Sequence, residues 1–199
     1  MSAPDFQPLT AEDVRRLRDE MDAAGKKLVF TNGCFDLLHA GHVRYLNQAR
    51  ALGDAMVVAV NSDASVRALK GPARPVNNEN DRAEVLAALR AVDAVVVFDD
   101  ERATRLISAI RPHIYAKGGD YTVESLNPEE RAALDAAGTA IHILPLVPGR
   151  STTATLKRAA TPEKSARLRL GVRRLSGQRC PGRGCGRRAR RKWPTVSGG

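Results

Sequence analysis

Apolar residues recur along this chain in two alternating rhythms. Val14, Leu17 and Met21 fall three and four apart behind Thr10-Ala11-Glu12-Asp13. That opening reads as a helix start, with a threonine cap and two acids in the first turn, and Gly25 supplies a stop. The short apolar run Leu28-Val29-Phe30 follows and reads as a buried strand that turns at Thr31-Asn32-Gly33. From Ala40 to Leu52 the period is helical again, through Val43, Leu46 and Ala49, and Gly53 closes it. The alternation then repeats. It predicts strands over 56–60, 94–98, 113–116 and 140–146, and helices over 62–69, 81–91, 101–110, 128–137 and 152–158. A loop rich in Gly, Pro and Asn spans 70–80. Strands apolar on every position are covered on both faces, and strands separated by helices pair in parallel. The pattern therefore predicts an α/β fold: a Rossmann-like, doubly wound sheet of five parallel strands in a single domain.

Past Thr161 the rhythm stops. Arg, Gly, Pro and Ser dominate, and no apolar period is sustained after Leu175, so a disordered basic C-terminal tail is expected. The domain limits predicted are 1–25 for an N-terminal helical segment, 26–160 for the α/β domain and 161–199 for the tail. Charge follows the same division. The chain of 199 residues carries a formal +10, which at first sight suggests nucleic acid. Residues 161–199, however, hold 12 Lys and Arg against Glu163 alone, leaving 1–160 at −1. The body is close to neutral, so nucleic-acid binding is expected only as a non-specific property of the tail.

Aromatic residues make up only 4% of the chain, so the core is expected to be Val, Leu, Ile and Ala. Of the three cysteines only Cys34 lies in the body, while Cys180 and Cys185 lie in the tail. That is no disulfide framework and fits a reducing compartment. Residues 1–9 lack the apolar stretch of a signal peptide, and no run is long enough to span a bilayer. A cytoplasmic protein without membrane contact is the expectation.

In an open parallel sheet, ligands collect beyond the carboxyl ends of the strands. Those ends carry the chemistry here. Asn32, Gly33, Phe35, Asp36, His39 and His42 follow the first strand, and Asn61, Ser62 and Asp63 the second, with Lys70 and Arg74 beyond. Lys117-Gly118-Gly119-Asp120 follows the fourth, and Gly149-Arg150-Ser151-Thr152-Thr153 the fifth. Cations, hydroxyls and glycines at one edge outline a polyphosphate site. His39 and His42, three apart at a helix start, project from one side of its first turn, and Gly41 between them admits a ligand close to the backbone. The unpaired N–H groups of that turn attract phosphate. A zinc pair would require further ligands, and only Cys34 is near in sequence. Cys34 itself reads as a small packed thiol.

Gly33-Cys34-Phe35-Asp36-Leu37-Leu38-His39-Ala40-Gly41-His42 resembles the signature of the cytidylyltransferase-like nucleotidyltransferases, with His-x-Gly-His intact. Lys70-Gly71-Pro72-Ala73-Arg74-Pro75, Asp81-Arg82, Lys117-Gly118-Gly119-Asp120-Tyr121 and Gly149-Arg150-Ser151-Thr152-Thr153 narrow the likeness. Together they resemble the adenylyltransferase domain of bacterial ADP-heptose synthases, over about residues 26–159. The resemblance implies transfer of AMP from ATP, with Mg²⁺, to a sugar 1-phosphate, D-glycero-β-D-manno-heptose 1-phosphate being the one expected. It implies catalytic roles for His39, His42 and Lys70, with Lys70 reaching from a flexible loop. It implies nucleotide contacts from Phe35, Asp36, Gly41, Asp63, Lys117, Gly118, Gly119, Asp120, Ser151 and Thr152, and substrate-phosphate contacts from Arg82, Arg74 and Arg150. A homodimer is the family's usual assembly. Plainer readings stand beside these: Arg82 and Arg150 as solvated arginines, Arg74 as a loop former, Asp63 as a helix cap and the glycines as a turn. A cytidylyltransferase acting on glycerol 3-phosphate remains the alternative enzyme.

Overall fold

The computed structural model describes residues 6–119 and 122–145, together with Thr152 and Leu156. The chain divides into two units, Met1–Thr161 and Pro162–Gly199, and the described residues belong to the first. Five strands, β1 (Leu28–Gly33), β2 (Ala55–Asn61), β3 (Ala94–Phe98), β4 (Ile114–Gly118) and β5 (Ala140–Leu144), form one sheet. All pairs are parallel and the spatial order is β3-β2-β1-β4-β5. Strand order reverses beside β1, so the crevice of a doubly wound sheet opens between the carboxyl ends of β1 and β4.

Period-two alternation sends successive side chains of each strand to opposite faces. Leu28 and Phe30 join Val57, Ala59, Val96 and Tyr115 in one core, which α1 (Ala11–Ala23), α5 (Thr104–Ile110) and α6 (Pro128–Ala137) cover. Val29 joins Met56, Val58, Val95 and Ile114 on the other face, under α2 (Ala40–Arg50) and α4 (Glu79–Ala87). The short α3 (Asp63–Lys70) follows β2. Each of the larger strand side chains is worth roughly 1.5–3 kcal/mol when removed from water. With both faces filled this way, the run pattern of β1 and β2 is explained, while β5 at the edge of the sheet is exposed or half-buried.

Among the described residues the expected helices and strands as far as β5 are present, with informative shifts in their bounds. The first strand does not turn at Thr31. It continues to Gly33 because β2 pairs with it through Thr31↔Val58, Asn32↔Ala59 and Gly33↔Val60. The α4 helix begins earlier than expected, at Glu79, since Asn78 accepts the Asp81 N–H as its cap. Val14 and Met21 of α1, in the N-terminal helical segment, are buried in the same core as Phe30. The expected last helix falls outside the described residues except for Thr152 and Leu156, both helical.

Candidate active site

The site begins with an unusual helix cap. His39 is the N-cap of α2 in extended backbone, and His42 is the third residue of the helix. The Gly41 N–H donates to His39 Nδ1 at 3.1 Å, and the His39 N–H donates to His42 Nδ1 at 3.2 Å. The two imidazoles thereby do the work that a Ser and a Glu do in an ordinary capping box. Their rings stack with centroids 4.0 Å apart. A backbone N–H can only donate, so both Nδ1 atoms are acceptors and each neutral ring carries its proton on Nε2. Burial, with the neighbouring Lys70 ammonium adding to it, pushes the His42 pKa down to about 4. His42 is therefore neutral at neutral pH, with one donor to offer.

Beyond the histidines lies a cavity of about 200 Å³ over the β1/β4 crevice, bounded by Gly33, Phe35, Gly41, His42, Lys70 and Lys117, with Tyr45 and Gly118 beneath. Phe35 holds a left-handed backbone (φ 44°), and its ring meets His42 edge-on at 5.9 Å. A bulky residue in that region is strained, and such strain survives where the surroundings enforce it. Gly33 makes room for the ring: a Cβ there would come within 3.2 Å of Phe35 Cε2. Lys70 was expected to reach from a flexible loop. Instead it is the last residue of α3, from which it lines the cavity.

The residues expected at the site divide into two groups. His39, His42, Phe35, Gly41, Lys70, Lys117 and Gly118 come together around or beside the cavity. Gly119 follows β4 with φ 148°, a conformation that glycine supplies. Gly118 also has a packing reason, since a Cβ on it would sit 2.7 Å from Tyr45 Cδ2. Tyr45 is fixed there because its hydroxyl donates to the Ala116 carbonyl at 2.9 Å and pairs with Thr31 Oγ1 at 2.7 Å.

The second group serves the scaffold. Asp36 was expected to shape the nucleotide pocket largely through backbone contacts. Its buried carboxylate accepts from Arg74 Nε at 2.5 Å and from the Val76 and Asn77 N–H groups at 2.8 and 3.2 Å. Burial opposes its ionisation, but Arg74 and the two amides win and hold the carboxyl below its usual range. Arg74 is thus engaged with Asp36 in forming the loop.

Arg82 is neither a solvated arginine nor turned toward the cavity. Its side chain is fully buried and donates to the carbonyls of Cys34, Asn61 and Asn77 and to Asp63 Oδ1. It ties the loops after β1 and β2 to α4. Asp63 is that arginine's carboxylate partner; the cap of α3 is Ser62. Thr152 donates its hydroxyl to the Leu37 carbonyl at 3.0 Å, which holds it to the loop just before His39. Asp120, Arg150 and Ser151 lie outside the described residues.

Asn32, expected at this edge, is joined there by a residue that was not anticipated, Glu130. Asn32 Oδ1 accepts from the Tyr115 hydroxyl at 2.7 Å and from Lys117 Nζ at 3.2 Å. Glu130, buried in the first turn of α6, receives Asn32 Nδ2 at 3.4 Å. An acid in a first helical turn reads from sequence as an exposed partner of the helix dipole, so nothing local marks Glu130. A broader groove of about 560 Å³ lies beside α3 and α4, lined by Asp63, Glu79, Asp81 and Asp99 together with Arg67. Among the described residues no three His, Cys, Asp or Glu side chains converge on a metal position.

A five-stranded parallel sheet with a cavity over its switch point, bordered by His42, Lys70 and Lys117, defines a Rossmann-like α/β domain of the nucleotide-handling class. The chain belongs to the cytidylyltransferase-like family, whose model matches residues 30–158, and it is by that membership a nucleotidyltransferase. It is 44% identical over 155 residues to the bifunctional protein HldE of Aliarcobacter butzleri, covering 78% of this chain and 31% of that protein. Against the HldE proteins of Pelobacter propionicus and Hyphomonas neptunium it is 52% and 53% identical. Those matches cover 68% and 70% of this chain and 28% of each relative. The chain thus spans about a third of the length of these curated relatives. The crystal structure of a lipopolysaccharide core biosynthesis protein from Thermoplasma volcanium superimposes with a TM-score of 0.51 at 26% identity. That match covers 62% of this chain and 98% of the other. No helix among the described residues is long and apolar enough to cross a membrane.

Proposed function

We propose that this domain transfers AMP from ATP to a sugar 1-phosphate, giving an ADP-sugar and pyrophosphate, with D-glycero-β-D-manno-heptose 1-phosphate as acceptor. The single observation that carries the reading is the mutual capping of His39 and His42, which leaves two Nε2–H donors beside a cavity at the switch point. The heptose assignment draws support from the HldE relatives and from the residues at the ends of β1 and β4.

The reaction asks for donors more than for a base. A phosphate oxygen of the acceptor is already a nucleophile. It forms a new bond to the α-phosphorus of ATP while the bond from that phosphorus to the bridging oxygen breaks, and the electron pair leaves with pyrophosphate. Charge builds on the α-phosphoryl oxygens and on the departing group. Neutral imidazoles donating from Nε2 stabilise that charge without a proton changing hands, and one such donor is worth about 3–4 kcal/mol. Lys70 supplies positive charge from the end of α3, and Phe35, Gly41 and the backbone at 117–119 shape the nucleotide's seat. Arg82 and Arg74 contribute by building the loops that carry these groups. Mg²⁺ would arrive with the triphosphate and would neutralise charge on the departing pyrophosphate.

Pyrophosphate release measured for each nucleoside triphosphate against heptose 1-phosphate, other sugar 1-phosphates and glycerol 3-phosphate tests the proposal. Turnover with ATP and the heptose phosphate is expected. Turnover only with CTP and glycerol 3-phosphate would sink it in favour of an alditol-phosphate cytidylyltransferase. Sedimentation of the same preparation measures whether the homodimer implied by the resemblance forms.

A further inference from the structure

Asn32 and Glu130 connect the cavity wall to the protein interior, and their arrangement has a direction. Oδ1 of Asn32 faces two donors, the Tyr115 hydroxyl and Lys117 Nζ, which fixes the amide's orientation and leaves Nδ2 for Glu130. Glu130 Oε1 also accepts the Ala103 N–H at 2.9 Å, at the start of a helix that has no side-chain cap of its own. A glutamine would serve that amide equally well. Burying a carboxylate costs several kcal/mol, so its charge implies a cationic partner. Among the described residues, the charged and titratable groups that act on Lys117 include Glu130 from α6, Arg102 ahead of α5 and Cys34 after β1. Burial is the largest influence lowering the lysine's pKa, Arg102 adds to it, and Glu130 and Cys34 oppose it. The Tyr115 ring lies 5.7 Å from the ammonium.

We propose that Glu130, acting through Asn32, is a positioning residue that holds the Lys117 ammonium charged against the cavity wall, where it takes a phosphate oxygen of the nucleotide. This rests on reading the cavity as the triphosphate site.

The test measures ATP binding by calorimetry, from neutral to alkaline pH, for the full chain and for Glu130→Gln, Lys117→Met and the double variant. Pyrophosphate release is followed in parallel. Glu130→Gln is expected to weaken ATP binding about tenfold and to move the alkaline loss of binding to lower pH. Lys117→Met should weaken binding further and flatten that pH dependence. In the Lys117→Met background the Glu130→Gln effect should vanish. An undiminished Glu130→Gln effect in that background, or an unmoved alkaline limb, overturns the proposal, because a purely structural role would produce both. If Glu130→Gln fails to fold by circular dichroism, Asn32→Ala removes the link while leaving both charges. It must then show the same dependence on Lys117, and independence overturns the proposal equally. Intact coupling in ATP binding without pyrophosphate release from any sugar 1-phosphate leaves this inference standing and removes the proposed reaction. Absence of ATP binding by the unmodified chain removes both.

Discussion

His39 and His42 cap one another: the His39 N–H donates to His42 Nδ1 at 3.2 Å, and the two rings stack at 4.0 Å. The contact joins secondary structure to chemistry, since the hydrogen bond that starts α2 also decides which ring nitrogen carries the proton. His42→Ala should therefore lose twice. Turnover is expected to fall about 10²–10³-fold through loss of a transition-state donor. Stability should fall by about 1 kcal/mol through loss of the cap. Steady-state pyrophosphate release and urea unfolding separate the two losses. A variant that lost stability alone would count against a catalytic His42.

The lowered pKa of His42 makes a statement about pH. Unfolded, the ring titrates near its ordinary 6.5; folded, near 4. Between those values the unfolded chain binds the extra proton, so the folded state loses stability as pH falls through this window and is insensitive to His42 above it. The partial solvent access of the ring reduces the effect to about 1–2 kcal/mol. Urea midpoints measured from neutral pH down to about 4 should decline less steeply for His42→Asn than for the unmodified chain.

Arg82→Lys is expected to be severe although it conserves charge. The guanidinium serves three carbonyls and Asp63 at once, and an ammonium cannot span the same fork. A loss of about 2–4 kcal/mol is expected by thermal or urea unfolding. Near-wild-type stability with selective loss of acceptor binding would instead place Arg82 at the substrate.

Asp36→Asn tests the loop clamp. The Val76 and Asn77 amides both donate to Asp36 Oδ1, and Arg74 pairs with the other oxygen. Removing the charge should speed hydrogen exchange at those two amides about tenfold, while the β1 amides keep their protection. Unchanged exchange at residues 76 and 77 would show that the clamp contributes little.

Gly118→Ala separates packing from binding. The new methyl would meet the Tyr45 ring at 2.7 Å, and that ring is held by Thr31 and Ala116. A cost of about 1–3 kcal/mol is expected in unfolding experiments. A variant with native stability and weakened nucleotide binding would show that the glycine's importance lies with the ligand.

Element type and order could be read directly from the chain, because helices and buried strands impose different periods on apolar residues and because Thr10 and Gly138 cap where such residues should. The edge of the sheet that carries the chemistry was legible too. The ends of parallel strands all point one way, so Asn32, His39 and Lys117 could be placed together before any contact was known. His39 and His42 belonged to that edge by spacing alone. Family membership followed from ordered motifs.

Tertiary structure settled whatever depends on which groups meet across distant stretches of chain. Arg82 and Asp36 stand in the sequence among candidate ligands, and only the fold brings to their side chains the backbone groups that arrive from other loops. Glu130 looked like a surface acid, yet the packing of α6 buries it behind Asn32. Hydrophobic period is a local property, written every two or three to four residues. The partner of a buried charge is not, because the cost of burying it is offset only by groups that the completed fold brings within hydrogen-bond reach.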